Sequence, residues 1–194
     1  MARRVFFSFH NQDVIDFRAN VVRKHWMMKP DREEAGFFDA SIWENAKKHG
    51  DSSVKKLVND GLDNTSVTCV LIGSQTYARR WVRYELLKSF KRGNKILGVH
   101  INSIKGKDSQ VKLSGPNPLE YVGAGFSEDG ARVTLWEWTD GHWTQYSELD
   151  GGAPYAVNPV RLEYRGKAFD LAKWYRIYDW VRDDGFNNFA NWVN

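Results

Sequence analysis

Four short apolar runs punctuate the first half of the chain: Arg4–His10 (RVFFSFH), Gly36–Ala40 (GFFDA), Val67–Ile72 (VTCVLI) and Lys95–Asn102 (KILGVHIN). Short runs of this kind, β-branched and aromatic, suit strands covered on both faces of a parallel sheet. Between them the apolar spacing changes to three and four. Val14, Phe17, Val21 and Val22 recur in this way after Asp13, which suits the N-cap of a helix over Val14–Trp26. Val54, Leu57, Val58 and Leu62 do the same after Asp51 or Ser52, and a third helix carrying Trp81 and Glu85 stops at Gly93-Asn94. Ser41–Gly50, with its lysines and one large aromatic, reads as a loop. The order β-α-β-α-β-α-β predicts a three-layer α/β fold, flavodoxin-like, with a parallel sheet flanked by helices.

Beyond Asn102 the pattern changes. After a polar stretch ending at Pro118, Tyr121–Phe126, Arg132–Trp138 and His142–Tyr146 predict a β-hairpin or meander, with turns at Ser127–Gly130 and Thr139–Gly141. Phe169, Leu171, Trp174, Tyr175, Tyr178 and Val181 then suggest a helix, and Phe186, Phe189, Trp192 and Val193 a shorter one. The chain therefore reads as a single domain, 1–194. A core α/β sheet spans 1–102, and an aromatic-rich extension with meander and helices, 103–194, packs on it. There are no internal repeats.

Composition adds limits. Of the 194 residues 42% are hydrophobic and 27% charged, enough apolar surface for a real core. Most of the nine Trp fall after Glu120, which marks the extension as a separate compositional region. The net charge of +4 comes from scattered residues, without the basic face or module that would imply a nucleic-acid partner. Cys69, the only cysteine, lies inside an apolar strand and reads as a small buried hydrophobe. The five His lack metal-ligand spacing. No segment is long enough to span a membrane and the first residues lack a signal-peptide pattern, so a soluble, cytoplasmic protein is expected.

The familiar phosphate-binding turns are absent, both Gly-x-Gly-x-x-Gly after the first strand and Gly-Lys-Ser/Thr, and so is a Gly-x-Ser-x-Gly nucleophile elbow. What remains lies at the carboxyl ends of the predicted strands, where open α/β sheets bind ligands. Ser8, Phe9 and His10 follow the first strand, Asp39 the second, and Ser74 through Glu85 the third. Trp81 and Glu85 are four residues apart and share one helical face. By spacing alone bland roles are the favoured reading. Asp13 and Ser74 would cap helices, Trp81 would join the core, and Glu85 would pair with Lys88 or Arg92.

A resemblance weighs on that choice. Val5-Phe6-Phe7-Ser8-Phe9 resembles the first strand of TIR domains, and Phe38-Asp39 their second-strand Phe-x-Asp region. Val70-Leu71-Ile72-Gly73-Ser74 followed by Trp81-Val82-Arg83-Tyr84-Glu85-Leu86 resembles their strongest signature: an apolar strand, a Ser-containing loop and Trp-x-x-x-Glu. The match covers roughly 4–102. With the near-terminal Tyr-Asp-Trp-Val at 178–181, the chain is similar over most of its length to the ThsB subunits of the Thoeris anti-phage system. It departs from many TIR domains at Gly73-Ser74 and in the loop after Asp39, which carries Trp43.

This resemblance implies an enzyme that cleaves the nicotinamide–ribose bond of NAD, with Glu85 catalytic. Ser8, Phe9, His10, Asp39, Trp43, Ser74 and Trp81 would bind the substrate. It implies no cofactor, NAD being the substrate, and a cyclic ADP-ribose isomer as product. The implied partners are a phage-derived trigger, a downstream NAD-degrading effector reached through the diffusible product, and further copies of the chain. A non-catalytic TIR-like sensor or interaction module is the alternative. A phosphotransfer receiver fits poorly, because Val67–Ile72 holds no acceptor carboxylate.

Overall fold

A computed structural model, which describes residues 3–36 and 40–194, places the first apolar run in β1 (Arg3–Ser8) and the third in β3 (Val67–Ile72). These two are the middle of an all-parallel five-stranded sheet. β2 (Arg32–Ala35) flanks β1, β4 (Lys95–His100) flanks β3, and β10 (Ile177–Asp179) closes the far edge, giving the order β10-β4-β3-β1-β2. All six residues of β3 are buried, as its unbroken apolar run requires of a strand covered on both faces. The predicted three-layer α/β class is the observed one.

The pleat divides the core in two. Val5 and Phe7 of β1, Cys69 and Leu71 of β3, and Leu97 and Val99 of β4 face α2 (Arg18–Met27) and α6 (Gly185–Val193). The alternate residues, Phe6, Val70, Ile72 and Ile96, face α4 (Asp51–Leu62) and α5 (Arg80–Arg92). By the same alternation Ser8 lies on the α5 side. α5 ends as its sequence demands. Gly93 adopts a left-handed φ of 77°, and the amides of Gly93 and Asn94 return to the carbonyls of Phe90 and Ser89.

The extension builds a second sheet against α5. β5 (Val122–Phe126), β6 (Arg132–Thr139) and β7 (His142–Gln145) form the predicted antiparallel meander, with β9 (Ala168–Asp170) beside β5 and the short β8 (Tyr155–Ala156) on β6. At the β6–β7 turn Asp140 and Gly141 both have positive φ, 51° and 82°, the twist a two-residue hairpin prefers. Val122, Ala124, Val133 and Leu135 join the same core cluster as Leu86 of α5.

Several expectations need correction. The predicted helix over Phe169–Val181 is instead β9, a 3-10 turn at Leu171–Lys173 and β10. Its aromatics are spaced for either period, and tertiary pairing decides: Gly98 leaves room on β4, where a Cβ would meet Ile177 Cδ1 at 2.2 Å. The parallel sheet therefore does not end with the first 102 residues. The second strand falls on the polar Arg32–Ala35, before the apolar GFFDA, most of which lies outside the described residues. An edge strand needs no apolar run: Glu34 is held by Arg23, the Trp26 indole donates to the Glu33 carbonyl at 2.8 Å, and charge guards the free edge.

The loop expected over Ser41–Gly50 is largely α3 (Ala40–Lys48), whose inward stripe of Trp43 and Ala46 is too narrow to read as a period. The helix expected over Val14–Trp26 is broken into α1 (Asn11–Ile15) and α2 by Phe17 at a left-handed φ of 66°. Beyond the break Arg18 is buried and donates to the carbonyls of Ile104 and Gln110, pinning the segment after β4. Neither predicted N-cap caps: Asp13 sits inside α1, and Gly50 precedes α4. Cys69 is buried as expected, and burial pushes its thiol far above the ordinary range. No helix among the described residues is long and apolar enough to cross a membrane.

Candidate active site

From β1 the chain steps outward to β2 and then crosses back to β3, so the direction of winding reverses between β1 and β3. Loops there leave on opposite faces and open a crevice beyond the carboxyl ends. A cleft of about 900 Å³ lies at this point. Phe9 and His10 enter it from the loop after β1, Trp43 from α3, and Trp81 and Glu85 from the first two turns of α5. A smaller hollow of about 360 Å³ at the ends of β4 and β10 holds none of the sequence-predicted residues.

Glu85 does not pair with Lys88 or Arg92 at the surface. Its side chain turns inward, the residue is 6% exposed, and Oε2 has no hydrogen-bond partner among the described residues. Burial pushes its carboxyl up to about 8. The nearby Ser8 hydroxyl pulls the other way, although it too lacks a hydrogen bond of full geometry among the described residues. A buried carboxyl with one oxygen left without a donor is costly for a fold and adds nothing to packing that an apolar residue could not supply. The indole of Trp81 meets Trp43 edge-on at 6.5 Å, and the Arg80 guanidinium lies 4.7 Å from the Trp81 ring. Arg80 is in turn held by Glu148 at 2.6 and 2.9 Å and by Asp51, so the extension touches the wall of the cleft.

His10 is half-buried, and burial followed by the charges of Arg79, Lys112 and Lys47 holds its pKa below the ordinary value. Ser74 sits half-buried in the turn after β3 and does not line the cleft; Asp39 lies outside the described residues. Sequence reasoning missed Arg23, Lys47, Arg79 and Arg80, all lining residues. The ARRW run at 78–81 was the available signal, diluted by an otherwise even scatter of charge. Among the described residues no cluster of three His, Cys, Asp or Glu is placed to hold a metal ion.

The unusual Gly73-Ser74 step has a packing reason. Asp13 is buried, its carboxyl pushed up to about 6 mainly by burial, and it rests directly on Gly73. A Cβ at 73 would lie 2.3 Å from both carboxylate oxygens. Gly73→Ala is therefore expected to destabilise the protein by about 1–3 kcal/mol through overpacking. Asp13→Ala in the same chain should recover most of that loss in a urea titration; equal stability of the single and double variants would refute the contact.

Comparison with known proteins bears on this geometry. A family model described as "Thoeris protein ThsB, TIR-like domain" matches residues 6–105, the span from β1 to just past β4. A protein of Bacillus cereus (strain MSX-D12), named "Putative cyclic ADP-D-ribose synthase ThsB1", is 58% identical over 195 residues, covering 100% of each chain.

Proposed function

The chain belongs to the ThsB family of TIR-like Thoeris proteins, and from that premise we propose that it cleaves the nicotinamide–ribose bond of NAD and closes the remaining ADP-ribose into a cyclic isomer. The observation that carries this reading is Glu85: a buried carboxyl, its Oε2 without a hydrogen-bond partner among the described residues, facing a dinucleotide-sized cleft beside two indoles. An interaction module gains nothing from such a group, whereas NAD brings what it lacks, a positively charged pyridinium riboside. As the C1′–N bond breaks, both electrons leave with neutral nicotinamide, so no strong acid is required. Positive charge then spreads over C1′ and the ring oxygen, where the Glu85 carboxylate stabilises it.

Ring closure requires a hydroxyl of the same ADP-ribose to attack C1′ before water does. It gives up its proton to a base such as Glu85 or His10. Trp43, Trp81 and Phe9 supply the apolar walls against water and His10 a polar contact to the ribose, while Ser8, expected there too, is fully buried, does not line the cleft and acts only on the Glu85 carboxyl. The product is the diffusible signal that switches on an NAD-degrading effector after a phage-derived trigger. The setting is the cytoplasm, and assembly of several copies can complete the cleft.

The test is incubation with NAD, alone and with extract of phage-infected cells, following nicotinamide and nucleotide products by chromatography and mass spectrometry. Triggered release of nicotinamide with a cyclic product is the expected result. No release under any trigger, with stable self-association, would return the protein to the class of interaction modules.

A further inference from the structure

Among the described residues the cations of the cleft are engaged, with one exception. Arg23 grips Glu34 with Nε at 2.7 Å from both oxygens. Lys47 pairs with Glu44 at 2.9 Å, and Arg80 is held by Glu148 and Asp51. Lys112, just behind, pairs with Asp16. Arg79 lines the same cleft, yet among the described residues its side chain has no ion pair or hydrogen bond. Its Nε is buried and unpartnered. Arg79 is half-buried, so its guanidinium is neither fully solvated nor satisfied within the chain. Its charge is nonetheless felt inside the cleft, where it depresses the His10 pKa more than Lys112 or Lys47 does.

An unsatisfied guanidinium fork fits the paired oxygens of a phosphate or a carboxylate, and of these NAD carries phosphate. Arg79 is the N-cap of α5 and Glu85 lies six residues on in the same helix, and both line the one cleft, so a dinucleotide with its nicotinamide ribose at Glu85 has Arg79 within the same pocket to meet its diphosphate. We propose that Arg79 binds the diphosphate bridge of the substrate and makes the cleft selective for dinucleotides over simple pyridinium ribosides. This rests on the NAD reading above and names the residue that recognises the part of NAD remote from the bond broken.

The test measures binding, so that it does not depend on a trigger. Dissociation constants for NAD and for the phosphate-free nicotinamide riboside are determined by calorimetry on the Glu85→Gln protein, with Arg79 intact, as Arg79→Ala and as Arg79→Lys. Removing one charge-assisted phosphate contact should weaken NAD about ten- to a hundredfold. Riboside binding should be unchanged, and Lys should restore part of the loss. If the Ala variant does not fold, as judged by circular dichroism, Arg79→Gln is read in its place. Equal NAD affinity with and without Arg79 overturns the inference and leaves the NAD reading standing. Equal weakening of both ligands also overturns it, since Arg79 would then only shape the cleft. No NAD binding by the Arg79-intact protein removes the NAD reading and this inference together.

Discussion

Glu85→Gln is expected to abolish nicotinamide release from NAD, by about a thousandfold or more, while leaving a better-folded protein at alkaline pH. The two effects have one cause. Amide for carboxyl is nearly isosteric, so Trp81, Trp43 and Ser8 keep their places, but the negative charge proposed to answer the developing ribosyl cation is gone. The buried carboxyl is also a liability to the empty fold. Its pKa is about 8 when folded against an ordinary 4.5. The fold accommodates the protonated form, so this stabilising preference is fully present below pH 4.5 and is lost as pH rises through about 8. Gln cannot ionise and escapes the loss. The variant should gain on the wild type by about a few kcal/mol between pH 5 and pH 9, read as a difference of melting temperatures. Asp13, raised in the same sense, is present in both proteins and cancels in the comparison. Wild-type turnover by the Gln variant would remove Glu85 from the chemistry; a stability difference flat in pH would show it to be solvated.

The same shift sets the pH profile of the reaction. On the proposed mechanism the free protein loses the Glu85 proton before it reacts, so kcat/KM should climb as pH rises through about 8. Bound NAD places a cationic ring beside the carboxylate and draws its pKa down, so the limb in kcat should lie at lower pH. Coincident limbs near 4.5 in both profiles would contradict the buried setting.

How much of this was legible from sequence differs between the halves of the site. The strands that frame the crevice were readable, because a strand covered on both faces must be an unbroken apolar run and Val67–Ile72 is one. Ser8, Phe9, His10, Trp81 and Glu85 could be placed at its edge on that basis alone. The polar edge strand Arg32–Ala35 was not readable, since an edge needs only one covered side. α3 escaped because two inward residues, Trp43 and Ala46, do not make a period. Residues that act through pairing were also hidden: Arg79 and Arg80 are neighbours of identical type, and only their partners separate them. Glu148 holds Arg80 and nothing in the described structure holds Arg79, a difference that depends on a loop 68 residues away from Arg80.

The extension is where the division drawn from composition has the largest consequence. Ending the chain at Arg176 is expected to leave no folded protein, although the TIR-like span 6–105 would be intact. The cut removes β10, which pairs with β4 through Ile177, Tyr178 and Asp179, and it removes α6. Phe189 and Val193 of α6 are at most 1% exposed and, with Trp180 at 7%, cover Phe7, Trp26, Cys69 and Leu97 on one whole face of the sheet. Tyr178 stacks on Trp192 at 4.2 Å with the rings 3° from parallel. At about 1.5–3 kcal/mol for each large apolar side chain buried, these residues together match the 5–15 kcal/mol that holds a typical domain folded. A single substitution shows the same dependence in milder form. Phe189 meets Phe7 at 6.1 Å, Trp26 at 5.6 Å, Trp180 at 5.7 Å and Trp192 at 6.2 Å. Phe189→Ala should open a cavity among four large rings and cost about 3–5 kcal/mol, measurable by chemical denaturation. A truncated chain that melts cooperatively and keeps its near-ultraviolet dichroism would show instead that α2, α4 and α5 suffice to hold the sheet, and the aromatic segment would then be an accessory after all.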